Sequence, residues 1–189
     1  MFRSREGAED DQASARTAIQ QRVRSHDIVV GITASGVTPF VAEAMRIASK
    51  RGARTILITG HPRSLIPADL RISVVVGPEL LSGSTRLKMG TATKLVLNML
   101  TLGTMAQLGK TYGHFMVDVR PTSRKLRARA LHIIRSITGC SEHMAARSLR
   151  AAHGRVKIAI LMIRDGLSEP AAARRLSQAN KADIRSPLQ

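Results

Sequence analysis

A strand–helix–strand pattern in the first third of the chain restricts its fold more than any other feature. Residues 27–32, "DIVVGI", form a short β-branched run that is typical of a buried strand. Residues 38–52, "TPFVAEAMRIASKRG", predict a helix with one apolar side and with Pro39 in its first position. The next strands are "ARTILITG" at residues 53–60 and "RISVVVG" at residues 71–77. Strands separated by helical stretches predict an α/β fold with a doubly wound parallel sheet.

The pattern changes after Val119, where no further strands are predicted. Ser141 and Ser168 are candidate helix caps in this part of the chain. The predicted helices lie near residues 121–137, 141–152, 155–164 and 168–179. We therefore predict a partial α/β domain at residues 1–118 and a small basic helical domain at residues 119–189.

The net charge of +17 is unevenly distributed along the 189 residues. Between residues 120 and 157 the single acid is Glu142, and the cations are Arg120, Arg124, Lys125, Arg127, Arg129, Arg135, Arg147, Arg150, Arg155 and Lys157. Such an excess is typical of a solvated helical surface or of a protein with a nucleic-acid or other anionic partner. Zinc-ligand spacing is absent and aromatic residues make up only 2%. We favour the solvated surface and expect no sequence-specific nucleic-acid binding.

The single cysteine, Cys140, excludes an internal disulfide framework and is consistent with a reducing cytosol. No apolar run reaches the roughly 18 residues that a membrane helix needs. The first residues, "MFRSREGAEDDQ", lack the apolar core of a signal peptide. We therefore expect a cytoplasmic protein without a membrane partner.

The loop after the first predicted strand combines hydroxyls with a glycine just before a helix N-terminus. Thr33, Ser35 and Thr38 can donate hydrogen bonds, and Gly36 allows close approach to the backbone. Free N–H groups and the positive end of the helix dipole favour an anion there. The loop is neither a Walker loop nor G-x-G-x-x-G. On these grounds a phosphate site and a simple capped turn are equally good interpretations.

The stretch "GITASGVTPF" resembles the phosphate loop of sugar isomerase (SIS) domains, with Thr33, Ser35, Gly36 and Thr38 on its S-x-S-G-x-T pattern. Nearly the whole chain resembles the N-acetylmuramic acid 6-phosphate etherase family. The stretches that carry this resemblance, in the right order, are "EGAEDD", "DIVVGITASGVTPFV", "GPELLSGSTRLKMGTATKLVLNMLTLGTM", "GKTYGHFMVDV" and the tail "TGCS…AILM…A…RL". It implies a partial SIS-type sheet with a C-terminal helical domain.

The resemblance also explains why the polar loop "GSTRLK" precedes a very apolar helix. It implies that the loop faces a sugar 6-phosphate, with Ser84, Thr85 and Lys88 as substrate contacts, while the helix is buried against the sheet and a partner subunit of a homodimer. Lys88 could instead neutralise a helix end, and both interpretations stay open. The apolar stripe is core or interface, and it consists of Leu95, Val96, Met99, Leu102 and Met105.

The chemistry implied by the family is cleavage of the D-lactyl ether, giving N-acetylglucosamine 6-phosphate and D-lactate in cell-wall amino sugar recycling. A base removes the proton on carbon 2 of the open-chain sugar, an acid protonates the departing lactate oxygen, and water adds back. Two carboxylates can perform these steps, so no metal or organic cofactor is expected.

One catalytic glutamate of the family maps onto Glu9, to which we assign the role of carbon-2 base. Without the resemblance Glu9 would be interpreted as a solvated surface charge, and Glu6 and Asp10 are lower-ranked candidates. The family's second glutamate follows a "GAGTSGR"-type loop, and that segment has no counterpart in these residues. The sequence thus resembles a truncated etherase, or alternatively a non-catalytic SIS module that binds sugar phosphates.

Three positions depart from the family pattern. Val37 stands where an arginine is common, and His114 and Ser123 stand where asparagines are common. The valine removes a cation near the phosphate loop. His114 is either a substitute hydrogen-bond donor or a turn residue, and we favour the turn residue.

Overall fold

Three parallel strands form the sheet of the computed structural model, which describes residues 7–182 and their side chains through residue 178. The strands are β1 (Ile28–Thr33), β2 (Arg54–Thr59) and β3 (Leu70–Ser73), in the order β1-β2-β3. Thr33 pairs with Thr59, and Thr59 pairs with Ser73. The carboxyl ends of all three strands therefore lie at one edge of the sheet, where the loops that follow them come together.

One helical crossover connects the first two strands. Helix α1 (Gln12–Arg22) packs on α2 (Pro39–Lys50), and α2 packs on β1 and β2. A Cβ at Gly31 would lie 2.8 Å from Met45 Sδ, so a glycine is needed for α2 to approach β1 this closely. The link from β2 to β3 is a loop without a helix, so the strand–helix–strand unit consists of β1, α2 and β2.

A buried carboxylate ties the two helices together. Glu43 on α2 is 7% exposed and accepts hydrogen bonds from Arg46 at 2.7 Å and from Arg16 of α1 at 2.9 Å. These guanidinium groups, Arg46 first, lower the pKa of Glu43 from 4.5 to about 2. Because the folded pKa is the lower one, this contribution to stability is complete above pH 4.5 and is lost as the pH falls toward 2.

Strand β1 is buried on one face only, although its β-branched run predicted a buried strand. Thr33 and Gly31 lie on the covered face, next to α2. The alternate residues Ile28, Val30 and Ile32 are 64%, 38% and 42% exposed. The prediction was wrong on this point because, within residues 7–182, little packs on the second face of β1.

The apolar helix predicted after the "GSTRLK" loop is α3 (Lys88–Gln107). A short hairpin that the sequence did not predict follows it, with β4 (Thr111–Tyr112) antiparallel to β5 (Phe115–Met116). His114 lies in the turn of this hairpin, with its ring centroid 4.0 Å from that of Phe115.

From Arg124 to Ala182 the chain consists of helices joined by short connections, as predicted. The helices are α4 (Arg124–Thr138), α5 (Glu142–Ala151), α6 (Val156–Arg164) and α7 (Glu169–Ala182). Ser123 and Ser141 cap α4 and α5 by accepting hydrogen bonds from the N–H groups of Leu126 and Met144, both at 3.2 Å. The core of these helices is aliphatic and includes Ala130, Ile133, Ile134, Leu149, Ile160 and Leu161.

The molecule divides into two compact units, one through Asn98 and one from Met99, so that the division falls inside α3. The predicted boundary between residues 118 and 119 stays a prediction. The fold class is confirmed as α/β, with a partial parallel sheet and C-terminal helices. In the part of the chain that the structure describes, no helix combines the length and apolarity needed to cross a membrane.

Candidate functional site

A cleft of about 270 Å³ opens at the carboxyl edge of the sheet. Ala34 follows β1, Gly60 follows β2, and residues 75–77 follow β3. The lining residues are Ala34, Gly60, Val75, Val76, Gly77, Glu79, Thr85 and Met89. This edge is where ligands of open parallel sheets bind, because the loops there can vary while the strands hold their positions.

The loop after β1, residues 33–38, is organised around the buried hydroxyl of Thr33, and we call it the hydroxyl loop. Thr33 is 4% exposed, and its Oγ1 lies 2.7 Å from Thr38 Oγ1 and 3.3 Å from Ser35 Oγ. The same oxygen accepts a hydrogen bond from the N–H of Gly36 at 3.1 Å. Ser35 is exposed and Thr38 is half-buried. Thr33 therefore holds the loop together, and Ser35 and Thr38 are the hydroxyls that a ligand can reach.

The turn of this loop depends on Gly36, whose φ of +76° is in the left-handed region. A Cβ at this position would lie 2.9 Å from the Cβ atoms of both His61 and Ser64. Ser64 is buried and its hydroxyl donates to the carbonyl oxygen of Gly36 at 2.6 Å. The loops after β1 and β2 are thus fixed to each other, with no room for a side chain between them.

Glu9 lies next to the same loop. Its backbone carbonyl accepts a hydrogen bond from the N–H of Phe40, at 2.9 Å, in the first turn of α2. The side chain of Glu9 is exposed, as is that of its neighbour Asp10. Long-range backbone pairing therefore places residue 9 beside the first turn of α2, which follows the hydroxyl loop. The other candidate, Glu6, lies outside the described residues.

The second loop, residues 77–88, is closed by Glu79. Its carboxylate accepts hydrogen bonds from the backbone N–H groups of Lys88 at 3.0 Å and Met89 at 3.1 Å, which caps the N-terminus of α3. These bonds, from Lys88 first, lower the pKa of Glu79 below its ordinary value. The carboxylate therefore holds α3 at pH values above 4.5, and this contribution fades as the pH falls below that value.

Ser84, Thr85 and Lys88 are the residues of the second loop that were predicted to contact the substrate, and the structure places each of them differently relative to the cleft. Thr85 lines it, together with Ala34 of the first loop. The ammonium group of Lys88 donates to the carbonyl oxygen of Pro78 at 2.7 Å, so in this structure it closes the loop near the helix start. Ser84 is half-buried, and its N–H donates to the carbonyl of Leu81 at 3.0 Å.

The structure thus brings together Thr33, Ser35, Gly36 and Thr38 in one loop. Glu9 is next to this loop because its backbone carbonyl accepts a hydrogen bond from Phe40, two residues after Thr38. Sequence reasoning missed Glu79 and Ser64. Glu79 is separated from the helix it caps by nine residues, so the usual short capping spacing gave no signal. Ser64 lies in the polar turn after β2, which begins with Gly60 and His61. Its position after a strand could have indicated a contact with the neighbouring loop at the carboxyl edge of the sheet.

Comparison with known proteins agrees with this geometry. A model of the SIS domain family matches residues 8–103, which hold the sheet, the cleft and most of α3. N-acetylmuramic acid 6-phosphate etherase 2 of Vibrio cholerae serotype O1 is 48% identical over 183 residues, which cover 95% of this chain and 60% of that protein. N-acetylmuramic acid 6-phosphate etherase of Microcystis aeruginosa is 47% identical over an alignment of 192 positions, which covers 100% of this chain and 62% of that protein.

The family match covers all the residues of the hydroxyl loop, as well as Glu9 and Glu79. The chain spans about 60% of the length of the two etherases. The shared part includes the parallel sheet, the crossover helix α2 and the loops at the carboxyl edge. This chain belongs to the SIS domain family.

Proposed function

We propose that the chain carries out, or contributes the shared part of, the N-acetylmuramic acid 6-phosphate etherase reaction. In this carbon–oxygen lyase reaction the D-lactyl ether of the sugar phosphate is cleaved to N-acetylglucosamine 6-phosphate and D-lactate. The observation that carries the proposal is the backbone hydrogen bond from Phe40 to Glu9, which places residue 9 beside the first turn of α2. Glu9 and the hydroxyl loop, the candidate phosphate site, are then neighbours.

The phosphate of the sugar would bind at the hydroxyl loop. Ser35 and Thr38 offer accessible hydroxyls, and the loop leads into the N-terminus of α2, whose dipole attracts negative charge. Thr33 and Gly36 would serve by fixing the loop, since both are buried. The second loop would contribute Ser84, Thr85 and Lys88, of which Thr85 lines the cleft. Lys88 would have to leave the carbonyl of Pro78 to reach the ligand.

Glu9 would remove the proton on carbon 2 once the sugar ring is open. The electron pair of that C–H bond becomes part of a new double bond to carbon 3, and the bond from carbon 3 to the lactate oxygen breaks. The lactate oxygen takes a proton from an acid, and water then adds to carbon 3. The exposed side chain of Glu9 suits a base that has to meet a bound substrate.

A second candidate function is a non-catalytic module that binds sugar phosphates. It needs only the accessible hydroxyls of Ser35 and Thr38 and the start of α2, without a catalytic carboxylate. Both candidates require sugar-phosphate binding at the hydroxyl loop, but only the first requires lactate release.

The decisive experiment measures D-lactate released from N-acetylmuramic acid 6-phosphate. We expect little release from the 189-residue chain alone. Joining it to the part of the Vibrio cholerae relative that it lacks should give turnover in the range of about 1–10³ s⁻¹. Binding of the sugar phosphate without lactate from either protein would favour the non-catalytic module. Absence of binding to both proteins would contradict both candidates.

Ser35→Ala should weaken the binding of N-acetylglucosamine 6-phosphate by about 1 kcal/mol or somewhat more, the scale of one hydrogen bond to a charged group. The hydroxyl is exposed, so the melting temperature should stay close to that of the parent. Titration calorimetry measures the affinity of the 189-residue chain. A matched control is Ser82→Ala, which changes another exposed serine outside the hydroxyl loop. Equal affinity for parent and Ser35→Ala would contradict the assignment of the phosphate to this loop.

We also propose a homodimer formed through α3. Leu95, Met99 and Leu102 lie three or four residues apart, so they share one side of the helix, and they are 51%, 63% and 61% exposed. A continuous apolar stripe of this kind is typical of an interface. The concentration dependence of the sedimentation coefficient tests this.

The proposed reaction and the unpaired Cys140 support a cytoplasmic location.

A further inference from the structure

The helical unit carries a second concave surface, unrelated to the hydroxyl loop. It consists of two adjoining hollows of about 130 Å³ and 580 Å³, which share Pro121, Arg127 and Gly154. The smaller hollow is also lined by Leu131, Ala146, Leu149 and Arg150. The larger one is also lined by Arg120, Thr122, His153 and Arg155. We call the two together the basic cleft.

The charges around the basic cleft all have one sign. None of its lining residues is acidic. Arg155 is paired with Glu169, whereas Arg120, Arg127 and Arg150 form no ion pair with any residue in the described range 7–182. Guanidinium groups gathered around a concavity repel each other and attract an anion, to which they can donate two hydrogen bonds each.

The floor of the smaller hollow is apolar. Leu149 is 6% exposed and Leu131 is half-buried. Pro121 packs closely on the backbone of Gly154. A Cβ atom on Gly154 would lie only 3.2 Å from the Cγ of Pro121. A bare phosphate would leave this floor uncovered, whereas a ligand with a planar apolar group would cover it. Guanidinium groups also stack on planar rings, and Arg127 and Arg150 line this hollow.

The rim of the larger hollow is held in an uncommon backbone conformation. His153 has a φ of +52°, the single positive value among the non-glycine residues of the described part, and Gly154 follows with a φ of +77°. The N–H groups of His153 and Gly154 donate to the carbonyls of Arg150 and Leu149, both at 2.9 Å, which is a common left-handed ending of a helix. Here the turn after α5 sets His153 at the edge of the cleft.

We propose that the basic cleft binds a small phosphorylated ligand in which phosphate groups are joined to a planar apolar group, the chemistry of a nucleoside diphosphate. The phosphates lie in the larger hollow near Arg120 and Arg127, and the planar group covers Leu131 and Leu149. The larger hollow, about 580 Å³, is within the usual range of small-molecule sites. This site shares no residue with the proposed sugar-phosphate site and does not depend on the etherase activity.

Backbone NMR of the 189-residue chain, titrated with ADP, tests the proposal and locates the ligand. The amide signals of Thr122 and Gly154 should shift and saturate, while that of Gly36 should not move. Pyrophosphate should bind more weakly at the same amides, and adenosine more weakly than ADP. Shifts confined to Gly36, or equal affinity for ADP and pyrophosphate, would overturn the proposal.

Arg127→Gln should weaken ADP binding about tenfold or more, since it removes charge-assisted hydrogen bonds from both hollows. The matched control is Arg129→Gln, two residues along α4, which is also exposed but lines neither hollow. Equal losses in the two variants would mean that net charge alone attracts ADP and would overturn the site. Displacement of ADP from the basic cleft by an unrelated oligonucleotide at physiological salt, followed at the amides of Thr122 and Gly154, would also overturn the proposal. The partner would then be a nucleic acid.

Discussion

Glu9→Gln is expected to abolish D-lactate release in a fusion of this chain with the part of the Vibrio cholerae relative that lies outside the match. Glutamine keeps the shape of the side chain but cannot accept the carbon-2 proton. The backbone hydrogen bond between Phe40 and residue 9 uses the main-chain carbonyl, so it survives the substitution. The rate should therefore fall by at least about 10²–10⁴-fold, the usual contribution of a general base, while substrate affinity changes little.

Exchange of the carbon-2 proton with deuterated solvent, followed by NMR, distinguishes loss of the base from loss of the acid. An enzyme that lacks only the acid can still exchange this proton, whereas one that lacks the base cannot. Asp10→Asn is the matched control, because Asp10 is the exposed neighbour in the same turn, and its variant should retain exchange. Exchange at the parent rate in Glu9→Gln would show that Glu9 is not the base.

Gly36→Ala is expected to have the second largest effect, on stability and on sugar-phosphate binding together. Its left-handed backbone costs a non-glycine residue about 1–2 kcal/mol. The new Cβ would also lie 2.9 Å from the Cβ atoms of His61 and Ser64, and Ser64 is buried and cannot turn away. The loops after β1 and β2 would have to separate, so binding should fall by more than in Ser35→Ala, about tenfold or more.

Gly52→Ala is the matched control for this substitution. Gly52 has a similar φ of +78°, but a Cβ there would meet its nearest atom, the Cβ of Ser25, at an ordinary distance of 3.4 Å. It should therefore show the conformational cost alone, with unchanged ligand affinity. Thermal unfolding and titration calorimetry of both variants measure the difference. Equal melting temperatures and equal affinities would contradict the fixed contact between the two loops.

Local signals predicted the secondary structure well. Pro39 in the first turn of α2, Ser141 at the start of α5, and the β-branched runs of β1 and β2 are all determined by neighbours in sequence. Capping and side-chain periodicity act within a few residues, so they can be recognised in the sequence alone. The hydroxyl loop was recognised for the same reason, since Thr33, Ser35, Gly36 and Thr38 lie within six residues.

The roles within the site were harder to predict. Thr33 was expected to contact the ligand together with Ser35, but it is the buried centre of the loop. Lys88 was interpreted either as a substrate contact or as a charge at a helix end. In the structure its ammonium group donates a hydrogen bond to the carbonyl oxygen of Pro78. Burial depends on what packs over a residue, and this information is spread over distant parts of the chain.

The sequence by itself determined β1 to β3 and the helices that follow them, the clustering of hydroxyls in the first loop and the basic nature of the C-terminal helices, because all three follow from residue types at short spacing. Only the tertiary structure decided that Glu9 meets the first turn of α2, that Glu79 closes the second loop onto α3, and that Ser64 fixes the first loop. Each of these contacts joins residues separated by nine or more positions. Their formation depends on the folded sheet, which brings the carboxyl ends of its strands to one edge.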